Sequence, residues 1–537
     1  MRQSDGCVCV MVSRALAVVV LVFVVAGVAG AQEAGTLDVL GGVVRHWAHA
    51  RPSSSLLTSV LGAAGVTTRV SVATGGGQAD GGSVGPSISA DGRYVAFISS
   101  ASNLVPGDTN GRDDVFVHDR VTRQTTRVSV ATSGGQGNGG CLGPSISADG
   151  RYVAFESWAD NLVPEDTNWG ADIFVHDRVT GQTTRVSVAT GGGQADYQSG
   201  ASSISGDGRY VAFDSGAENL VPGDTNEESD VFVHDRATGQ TTRVSVATGG
   251  GQASEDSDGA RISADGRYVA FCSFTSNLVP GDTNWAEDVF VHDRVTGQTT
   301  RVSVDTGGGE SDHNSWAASI SADGRYVVFN SLASNLAPGD TNDMGDVFVH
   351  DRVTGETTRV SVATGGGQAS GVSGGASVSA DGRYVAFGSR ADNLVPGDTN
   401  DSDDVFVHDR LTGETTRVSV ATGGGQASDD CSMGSISAGG RYVAFRSWAD
   451  NLVPGDTNGY WDVFVHDRGA GAPKPGDINS DGVVDEADLN VFFLGWLQAR
   501  QPQPTVDARC DLDGDGKITA TDAKAFLEQW LSAQEGQ

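Results

Sequence analysis

A unit of constant length occurs seven times in this chain, without insertion or deletion. Each unit carries the segment Thr-Thr-Arg-Val-Ser-Val. Its evenly spaced arginines are Arg69, Arg127, Arg185, Arg243, Arg301, Arg359 and Arg417. Repetition at a fixed period is typical of solenoids and propellers. Constant length indicates that every unit occupies an equivalent place in a regular assembly.

The periodicity inside one unit predicts four β-strands and no helix. In the first full unit the strands are expected at 86–89, 93–99, 114–119 and 125–130, because these stretches are rich in β-branched and aromatic residues. The chain has 75 glycines, and only 19% of its residues are charged, which suits a turn-rich all-β protein. Seven units of four strands predict an all-β, seven-bladed β-propeller spanning 63–468.

The two ends of the repeat region predict that the propeller is closed. The fourth-strand sequence occurs once before the first full unit, at 67–72, and the seventh unit ends with its third strand at 462–467. The N-terminal strand can therefore complete the last blade. Such an exchange removes an open sheet edge, which a straight solenoid does not require.

The repeat resembles that of TolB-like propellers. The similarity lies in Ser-Ala-Asp-Gly-Arg-Tyr-Val-Ala-Phe followed by Asp-Val-Phe-Val-His-Asp, and it covers about 67–468. Gly439 departs from it by replacing the turn aspartate in the seventh unit. The resemblance implies an interaction platform, although some such propellers lie beside peptidase domains.

The N-terminal segment has the pattern of an export signal. Arg2 and Arg14 precede an apolar run over 15–28, and Ala29-Gly30-Ala31 matches a small-x-small cleavage site. A membrane anchor is the alternative, but the run is short for a bilayer span. We expect a signal peptide at 1–31, a spacer at 32–62, and a mature chain secreted without a membrane span.

Charge and cysteine usage restrict the partners. The formal net charge of −33 disfavours a nucleic-acid partner, since phosphates would be repelled. Four cysteines remain after signal removal, with no close metal-type spacing. Cys141 and Cys431 hold equivalent positions two blades apart, too far for a disulfide unless both loops lean inward.

After a linker at 469–475, the region 476–537 contains two loops rich in oxygen ligands. The first offers Asp477, Asn479, Asp481, Val483, Asp485 and Asp488, and the second offers Asp511, Asp513, Asp515, Lys517, Thr519 and Asp522. These are the ligand positions of an EF-hand loop, with glycine at position 6 and backbone carbonyls at position 7. Hard oxygen ligands at this spacing predict two calcium ions. The alternative is a pair of acidic turns without metal.

An amphipathic helix is expected after each loop, and the whole segment from 476 to about 531 resembles a type I dockerin. That resemblance implies a small calcium-binding α-helical module that docks onto a cohesin. The residues that start the helices are Glu486-Ala487 and Ala520-Thr521, not the Ser-Thr pair of many dockerins.

Several motifs in the propeller have a structural interpretation. Seven histidines share one position on the third strand: His118, His176, His234, His292, His350, His408 and His466. A catalytic group is needed once, so we expect each to be bonded within its blade. Gly-x-Ser-x-Gly occurs around Ser83 and Ser373 without the following helix of a nucleophile elbow. No catalytic residue is predicted.

One recurrent loop leaves two interpretations open. Asp108, Asn110 and Asp114 recur in every blade, for example as Asp166, Asn168 and Asp172. Oxygen ligands at this spacing suit one further calcium per blade. The alternative, which we favour, is a turn held by hydrogen bonds between side chains and backbone.

Function is expected where the repeats differ. The loops at 79–85, 137–143, 195–201 and 310–316 vary between units. Aromatic residues appear in the long loops after the second strands, namely Trp158, Trp169, Phe274, Trp285, Trp448, Tyr460 and Trp461. Both loop sets should emerge on one face, where aromatics either bind a sugar or protein or pack the blade rim.

Three functional hypotheses follow. The leading one is a secreted binding propeller, for a polysaccharide or a protein, tethered through its dockerin. The second is a dockerin-borne glycoside hydrolase or polysaccharide lyase, against which the near-identical blades argue, since an active site would break the repetition with dissimilar carboxylates. A structural spacer, the third, leaves the aromatic loops unexplained.

Overall fold

A computed structural model describes residues 65–469, which form 28 β-strands and contain no helix. The predicted signal peptide, the spacer and the C-terminal calcium loops lie outside the described residues. In chain order the strands are β1 (Val66–Arg69), β2 (Ser83–Ile88), β3 (Tyr94–Ser99), β4 (Asp114–Asp119), β5 (Gln124–Arg127), β6 (Cys141–Ile146), β7 (Tyr152–Ser157), β8 (Asp172–Asp177), β9 (Gln182–Arg185), β10 (Ser199–Ile204), β11 (Tyr210–Ser215), β12 (Asp230–Asp235), β13 (Gln240–Arg243), β14 (Ser257–Ile262), β15 (Tyr268–Ser273), β16 (Asp288–Asp293), β17 (Gln298–Arg301), β18 (Ser315–Ile320), β19 (Tyr326–Ser331), β20 (Asp346–Asp351), β21 (Glu356–Arg359), β22 (Ser373–Val378), β23 (Tyr384–Ser389), β24 (Asp404–Asp409), β25 (Glu414–Arg417), β26 (Cys431–Ile436), β27 (Tyr442–Ser447) and β28 (Asp462–Asp467).

The strands form seven antiparallel sheets of four, which confirms the predicted seven-bladed propeller. Blade 1 is β2-β3-β4-β5, the next five blades repeat this order, and blade 7 is β26-β27-β28 with β1. The innermost strands of successive blades contact each other around the centre. Within 65–469 no helix has the length and apolar character needed to cross a membrane.

Two strand boundaries in blade 1 differ from the prediction by three residues, and the others differ by one residue or none. The first strand begins at Ser83 instead of 86, and its pairing with β3 shifts register between Val84 and Ser87. Gly85, with φ +61°, forms this bulge, and the Gly-Pro pair conceals the strand in the sequence. The fourth strand ends at Arg127 because the Ser129 hydroxyl, not a backbone carbonyl, accepts the Val115 N–H at 3.1 Å.

The predicted closure is confirmed by pairing between the first and last strands. In register, β1 lies antiparallel to β28 from Val66 opposite Asp467 to Arg69 opposite Phe464. The turns between each blade's first two strands also bond to one another near the centre. The Ala438 N–H of blade 7 donates to the Ala90 carbonyl of blade 1 at 3.1 Å. No open sheet edge therefore separates blades 7 and 1.

The apolar core lies between neighbouring blades. Val95 and Phe97 of blade 1, for example, are buried with Val463 and Val465 of blade 7. Each blade also stacks two phenylalanines across its middle strands, with ring centroids about 6 Å apart. Because each cluster draws on two blades, one blade cannot bury its apolar surfaces alone.

On the face opposite the variable loops, a glycine and an aromatic ring join adjacent blades. A Cβ at Gly92 would lie 2.0 Å from Cδ2 of Tyr442, and φ is +73°, so only glycine fits this turn. The guanidinium of Arg120 covers the same Tyr442 ring at 4.4 Å from its centroid. Equivalent contacts recur at the other blade junctions, for example between Gly150 and Tyr94.

Candidate ligand-binding face

The two variable loop sets lie together on one face of the propeller. The Asp80 N–H donates to Asn103 Oδ1 at 3.2 Å, and Asn103 Nδ2 donates to the Gln78 carbonyl at 3.0 Å. These bonds join the loop that precedes the first strand to the loop that follows the second. The same arrangement recurs around the ring, for example between Asp196 and Asn219. We call this surface the variable face.

The recurrent Asp/Asn loops are held by arginines. In blade 1 the Arg127 guanidinium lies 3.0 Å from Asp108 Oδ1 and 3.3 Å from Asp114 Oδ2. Asn110 Nδ2 donates to Asp114 Oδ2 at 2.9 Å, and the Ser129 hydroxyl donates to Asp114 Oδ1 at 2.5 Å. The guanidinium thus supplies a positive charge where a calcium ion would sit. This geometry supports the hydrogen-bonded turn over an ion in each blade loop.

The repeated histidines are bonded within their blades, as predicted. His118 Nδ1 lies 2.9 Å from Thr125 Oγ1, and that hydroxyl donates to the Val72 carbonyl of the preceding repeat at 2.5 Å. The hydroxyl hydrogen is used in this bond, so His118 Nδ1–H must be the donor to Thr125. Burial lowers the pKa of His118 to about 4, which keeps the ring neutral.

The serines of the two Gly-x-Ser-x-Gly matches are structural. Ser83 begins β2, is fully buried, and donates to Ser99 Oγ at 2.9 Å. Ser373 makes the equivalent contact with Ser389 at 2.9 Å. Two blades have cysteine at this position. Cys141 and Cys431 bond to Ser157 and Ser447 of their own blades, and burial raises the pKa of both thiols to about 12.

The aromatic residues of the variable face divide into packed and exposed groups. Trp448 and Trp461 pack edge to face with centroids 5.5 Å apart, and the Arg446 guanidinium lies 4.9 Å from the Trp461 ring centroid. In contrast, Trp169 is 90% exposed and Trp285 is 88% exposed. Blade-rim packing therefore accounts for the first group and not for the second.

One position that the sequence analysis overlooked brings unlike side chains to the inner part of this face. It lies between Phe and Ser near the end of each second strand. Around the ring its occupants are Ile98, Glu156, Asp214, Cys272, Asn330, Gly388 and Arg446. The repetition is thus broken by dissimilar carboxylates in blades 2 and 3. In the sequence, the only indication of this set was one variable residue position within an otherwise constant segment.

A cavity of about 560 Å³ lies where blades 2 and 3 meet on the variable face. Glu156 and Asp214 lie at its inner part, and Trp158 and Tyr197 provide aromatic walls. The cavity exists partly because Gly200 has no side chain. A Cβ there would lie 3.4 Å from Glu156 Oε2 and 3.6 Å from Asp214 Oδ2, so the two carboxylates face the same space.

The electrostatics of this cavity disfavour ionised carboxylates. Burial, followed by repulsion from Asp214, raises the pKa of Glu156 to about 7, although the Ala201 N–H partly offsets this by hydrogen bonding to it. Burial also raises the pKa of Asp214 to about 6. Ala201 has φ +46°, where most other blades have glycine, so the backbone is strained beside this pair.

A second group of potential ligands lies in blade 4. Oxygen and sulfur atoms of Asp258, Cys272 and Glu287 lie within 4.8 Å of one another. Burial raises the pKa of Glu287 to about 7, with Asp258 adding to the shift. Around the ring, then, blades 2 to 4 bring carboxylates to the variable face, whereas blade 7 presents Arg446.

The twelve predicted calcium ligands lie outside the described residues, so a comparison of sequences is what bears on them. The family model of the dockerin type I domain matches residues 475–527. The chain carries a type I dockerin. This confirms the resemblance noted in the sequence, and the matched range contains all twelve residues that the sequence predicts as ligands. A dockerin implies a cohesin partner and an extracellular assembly, and this type of dockerin is generally a calcium-binding module.

Several solved structures are similar to the chain. TolB from Acinetobacter baumannii is 17% identical, with 62% of this chain and 65% of that chain covered and a TM-score of 0.34. The oligogalacturonate lyase from Vibrio parahaemolyticus is 14% identical, with 75% and 93% covered and a TM-score of 0.44. The β-propeller domain of the Trilobed protease from Pyrococcus furiosus is 10% identical, with 72% and 95% covered and a TM-score of 0.45.

These similarities concern the fold alone. The dockerin-bearing chain spans about 65% of the length of the TolB protein that it matches. No curated protein sequence matches it. The activity must therefore be argued from the variable face itself.

Proposed function

We propose that the chain is a secreted glycan-binding protein that its dockerin tethers to a cohesin. The observation that carries this proposal is the pair of exposed tryptophans on the variable face. Trp169 and Trp285 occupy equivalent turn positions in blades 2 and 4, with φ +59° and +58°. Their indole rings are almost fully accessible.

The two tryptophans are costly to the fold. A residue with a Cβ in the left-handed region is less stable than glycine by about 1 kcal/mol. Glycine fills the same position at Gly111 and Gly459, with φ +61° and +68°. An exposed indole at this position adds no core packing in return. Flat aromatic surfaces of this kind are suited to stacking on sugar rings.

The tether depends on calcium in the C-terminal module. The twelve oxygen ligands from Asp477 to Asp522 supply two complete EF-hand-like sets, so we propose two calcium ions. A module this small has a limited core, and metal binding should therefore provide much of its folding free energy. Secretion through the signal at 1–31 would place both functions where calcium is plentiful.

The test is binding of the full-length protein to a panel of polysaccharides, compared with the double variant W169G/W285G. Glycine is the residue of other blades at this position, so the variant should fold. We expect wild type to bind at least one polysaccharide and the variant to bind it at least tenfold more weakly. The matched control is L411A, which removes an exposed side chain from the opposite face. Equal binding by all three proteins would contradict the proposal.

Glu156 and Asp214 favour a second candidate function, a carbohydrate-active enzyme. Glycoside cleavage requires a general acid with a raised pKa and a second carboxyl group that is ionised. Glu156, with a pKa of about 7, would be the acid, and Asp214, with the lower pKa of about 6, would be the carboxylate. The test is the release of new reducing ends or unsaturated ends from the same panel. Product formation that E156Q/D214N abolishes would establish the enzyme. Binding without product in wild type would leave the binding function alone.

A further inference from the structure

We propose that the cavity between blades 2 and 3 binds the protonated amino group of an amino sugar, as found along a deacetylated amino-sugar polymer. This inference rests on the glycan binding proposed above and names the class of glycan. It concerns a site distinct from Trp169 and Trp285.

The acidic groups of the cavity select for a cation, because a positive charge among them favours their ionised forms. Six carboxylates line it, namely Glu156, Asp214, Glu218, Glu227, Glu228 and Asp256, and none of its described lining residues is lysine, arginine or histidine. Repulsion from Asp256 raises the pKa of Glu228, so the acids near the rim also repel each other. An anionic glycan such as a uronate polymer would add to this repulsion.

An arginine on the next blade does not reverse this balance. Arg261 favours the ionised form of Asp214, but its effect is smaller than the opposing effects of burial and of Asp258. Asp214 is therefore a carboxylate that lacks a full counter-charge. A ligand carrying a positive charge would supply it.

An unsatisfied hydrogen-bond acceptor independently points to a donor ligand. Among residues 65–469, Asp214 Oδ1 has no hydrogen-bond partner, although it is buried. A buried acceptor without a hydrogen-bond partner is unusual in a folded protein, because it reduces the stability of the fold. An ammonium group offers three N–H donors, whereas a neutral hydroxyl offers one. Asp214 and Glu156 face the same space beside Gly200, so one ammonium can donate to both.

The walls of the cavity suit a sugar ring rather than a flexible amine. Trp158 is 46% exposed and Tyr197 is 60% exposed, so both retain open ring surface. The Tyr197 ring is fixed against Gly216, where an added Cβ would lie 3.0 Å from Tyr197 Cδ1. A fixed aromatic surface beside paired carboxylates can stack on a pyranose ring and pair with its amino group.

The experiment is calorimetric titration of the full-length protein at pH 6 with three oligosaccharides of the same β-1,4 backbone: glucosamine hexamer, N-acetylglucosamine hexamer and cellohexaose. We expect the glucosamine hexamer to bind at least tenfold more tightly than the other two. The variants E156Q and D214N should each reduce that affinity at least tenfold.

Two further variants test whether binding depends on this cavity. D343N removes a carboxylate from the same face outside the cavity, so it controls for attraction by the net charge of −33. G200L fills the cavity, and leucine is tolerated at this position because Leu142 occupies it in blade 2. We expect D343N to bind like wild type and G200L to lose the glucosamine hexamer.

The possible failures can be told apart. Similar affinity for the amino and N-acetyl hexamers, or equal losses in D343N and D214N, would overturn the amino-sugar site. Spermidine bound as tightly as the hexamer, with the same dependence on Asp214, would overturn the sugar assignment. If neutral oligosaccharides bind through Trp169 and Trp285, the proposed function survives these results. If none of the oligosaccharides and polysaccharides binds, the proposed function fails as well.

Discussion

Thr67 Oγ1 lies 2.8 Å from His466 Nδ1, although the two residues are separated by almost the whole propeller. In the other six blades the same bond joins a histidine and a threonine of one hairpin, as between His118 and Thr125. The N-terminal strand thus reproduces, in blade 7, a contact that is local everywhere else. Closure of the ring is built from the ordinary blade interactions.

A disulfide across the closure should therefore stabilise the propeller strongly. V66C/D467C joins paired residues of β1 and β28, and D119C/Q124C joins the equivalent pair within blade 1. Both variants lose an equivalent Arg–Asp ion pair, so they are matched. Since the first closes a far longer loop, it should add about 4 kcal/mol more in the chain-entropy estimate. Thermal unfolding before and after reduction measures the difference, and equal gains would contradict the pairing.

Substitution of a buried histidine should change the stability of the propeller by an amount that depends on pH. His176 has a pKa of about 4 because of burial, against 6.5 when exposed. Its stabilising effect is therefore complete above pH 6.5 and is lost as the pH falls toward 4. H176Q should be less stable than wild type at pH 7.5 by about 1 kcal/mol through loss of the Thr183 bond, and this deficit should shrink by pH 5.

The control for this prediction is T183V, which removes the same hydrogen bond and keeps the imidazole buried. Its deficit should not shrink between pH 7.5 and 5. Urea unfolding at several pH values provides the comparison. A deficit of H176Q that is independent of pH would show that His176 does not titrate as the structure indicates.

The carboxylates of the cavity should reduce the stability of the propeller. Burial raises the pKa of Asp214 to about 6, so its ionised form is unfavourable in the fold above that pH. The penalty diminishes as the pH falls from about 6 toward 3.8, since the protonated form then becomes accessible. D214N should raise the free energy of unfolding by about 1–2 kcal/mol at pH 8 and by less at pH 5.

This gain should come with a loss of ligand binding, as expected where function requires an unfavourable arrangement. D343N, an exposed carboxylate on the same face, should change stability little at either pH. A D214N protein that is less stable than wild type at pH 8 would mean that Asp214 has a structural role instead.

The sequence alone did not predict the cavity, because its two inner carboxylates come from different blades. The closed propeller could be predicted because each strand sequence occurs seven times. The Thr-Thr-Arg segment that precedes the first full unit indicated how the ring closes. In contrast, Glu156 and Asp214 belong to different repeats, and each occupies a single variable position of its repeat. Only the ring geometry, with Gly200 between them, brings them to one space.

Local chemistry also limited the prediction of strand ends and loop contacts. Gly85 and Pro86 concealed the start of β2, because neither residue is typical of a regular strand. The role of Arg127 could not be read from spacing, since its carboxylate partners belong to a loop and a strand that precede it in the blade. In the structure, Asp108 and Asp114 form ion pairs with the Arg127 guanidinium, which explains their calcium-like spacing without an ion.

Calcium should accordingly bind to the dockerin and not to the blades. D477A/D511A removes the first ligand of each predicted loop, and this variant should take up no calcium in a calorimetric titration. The main unfolding transition of the propeller should be unchanged, with or without the ion. Calcium uptake by the variant at a stoichiometry near seven would show that the blade loops hold ions after all.

The proposed function requires that one chain links a cohesin to a glycan. A bead assay measures this link, using type I cohesin modules on beads, the full-length protein, and suspensions of chitosan, amorphous cellulose and xylan. We predict that wild type retains at least one polysaccharide on the beads in calcium, that chelation releases it, and that W169G/W285G is captured by the cohesin without retaining it. Capture of the protein with none of the polysaccharides retained, or retention that persists after chelation, would contradict the account.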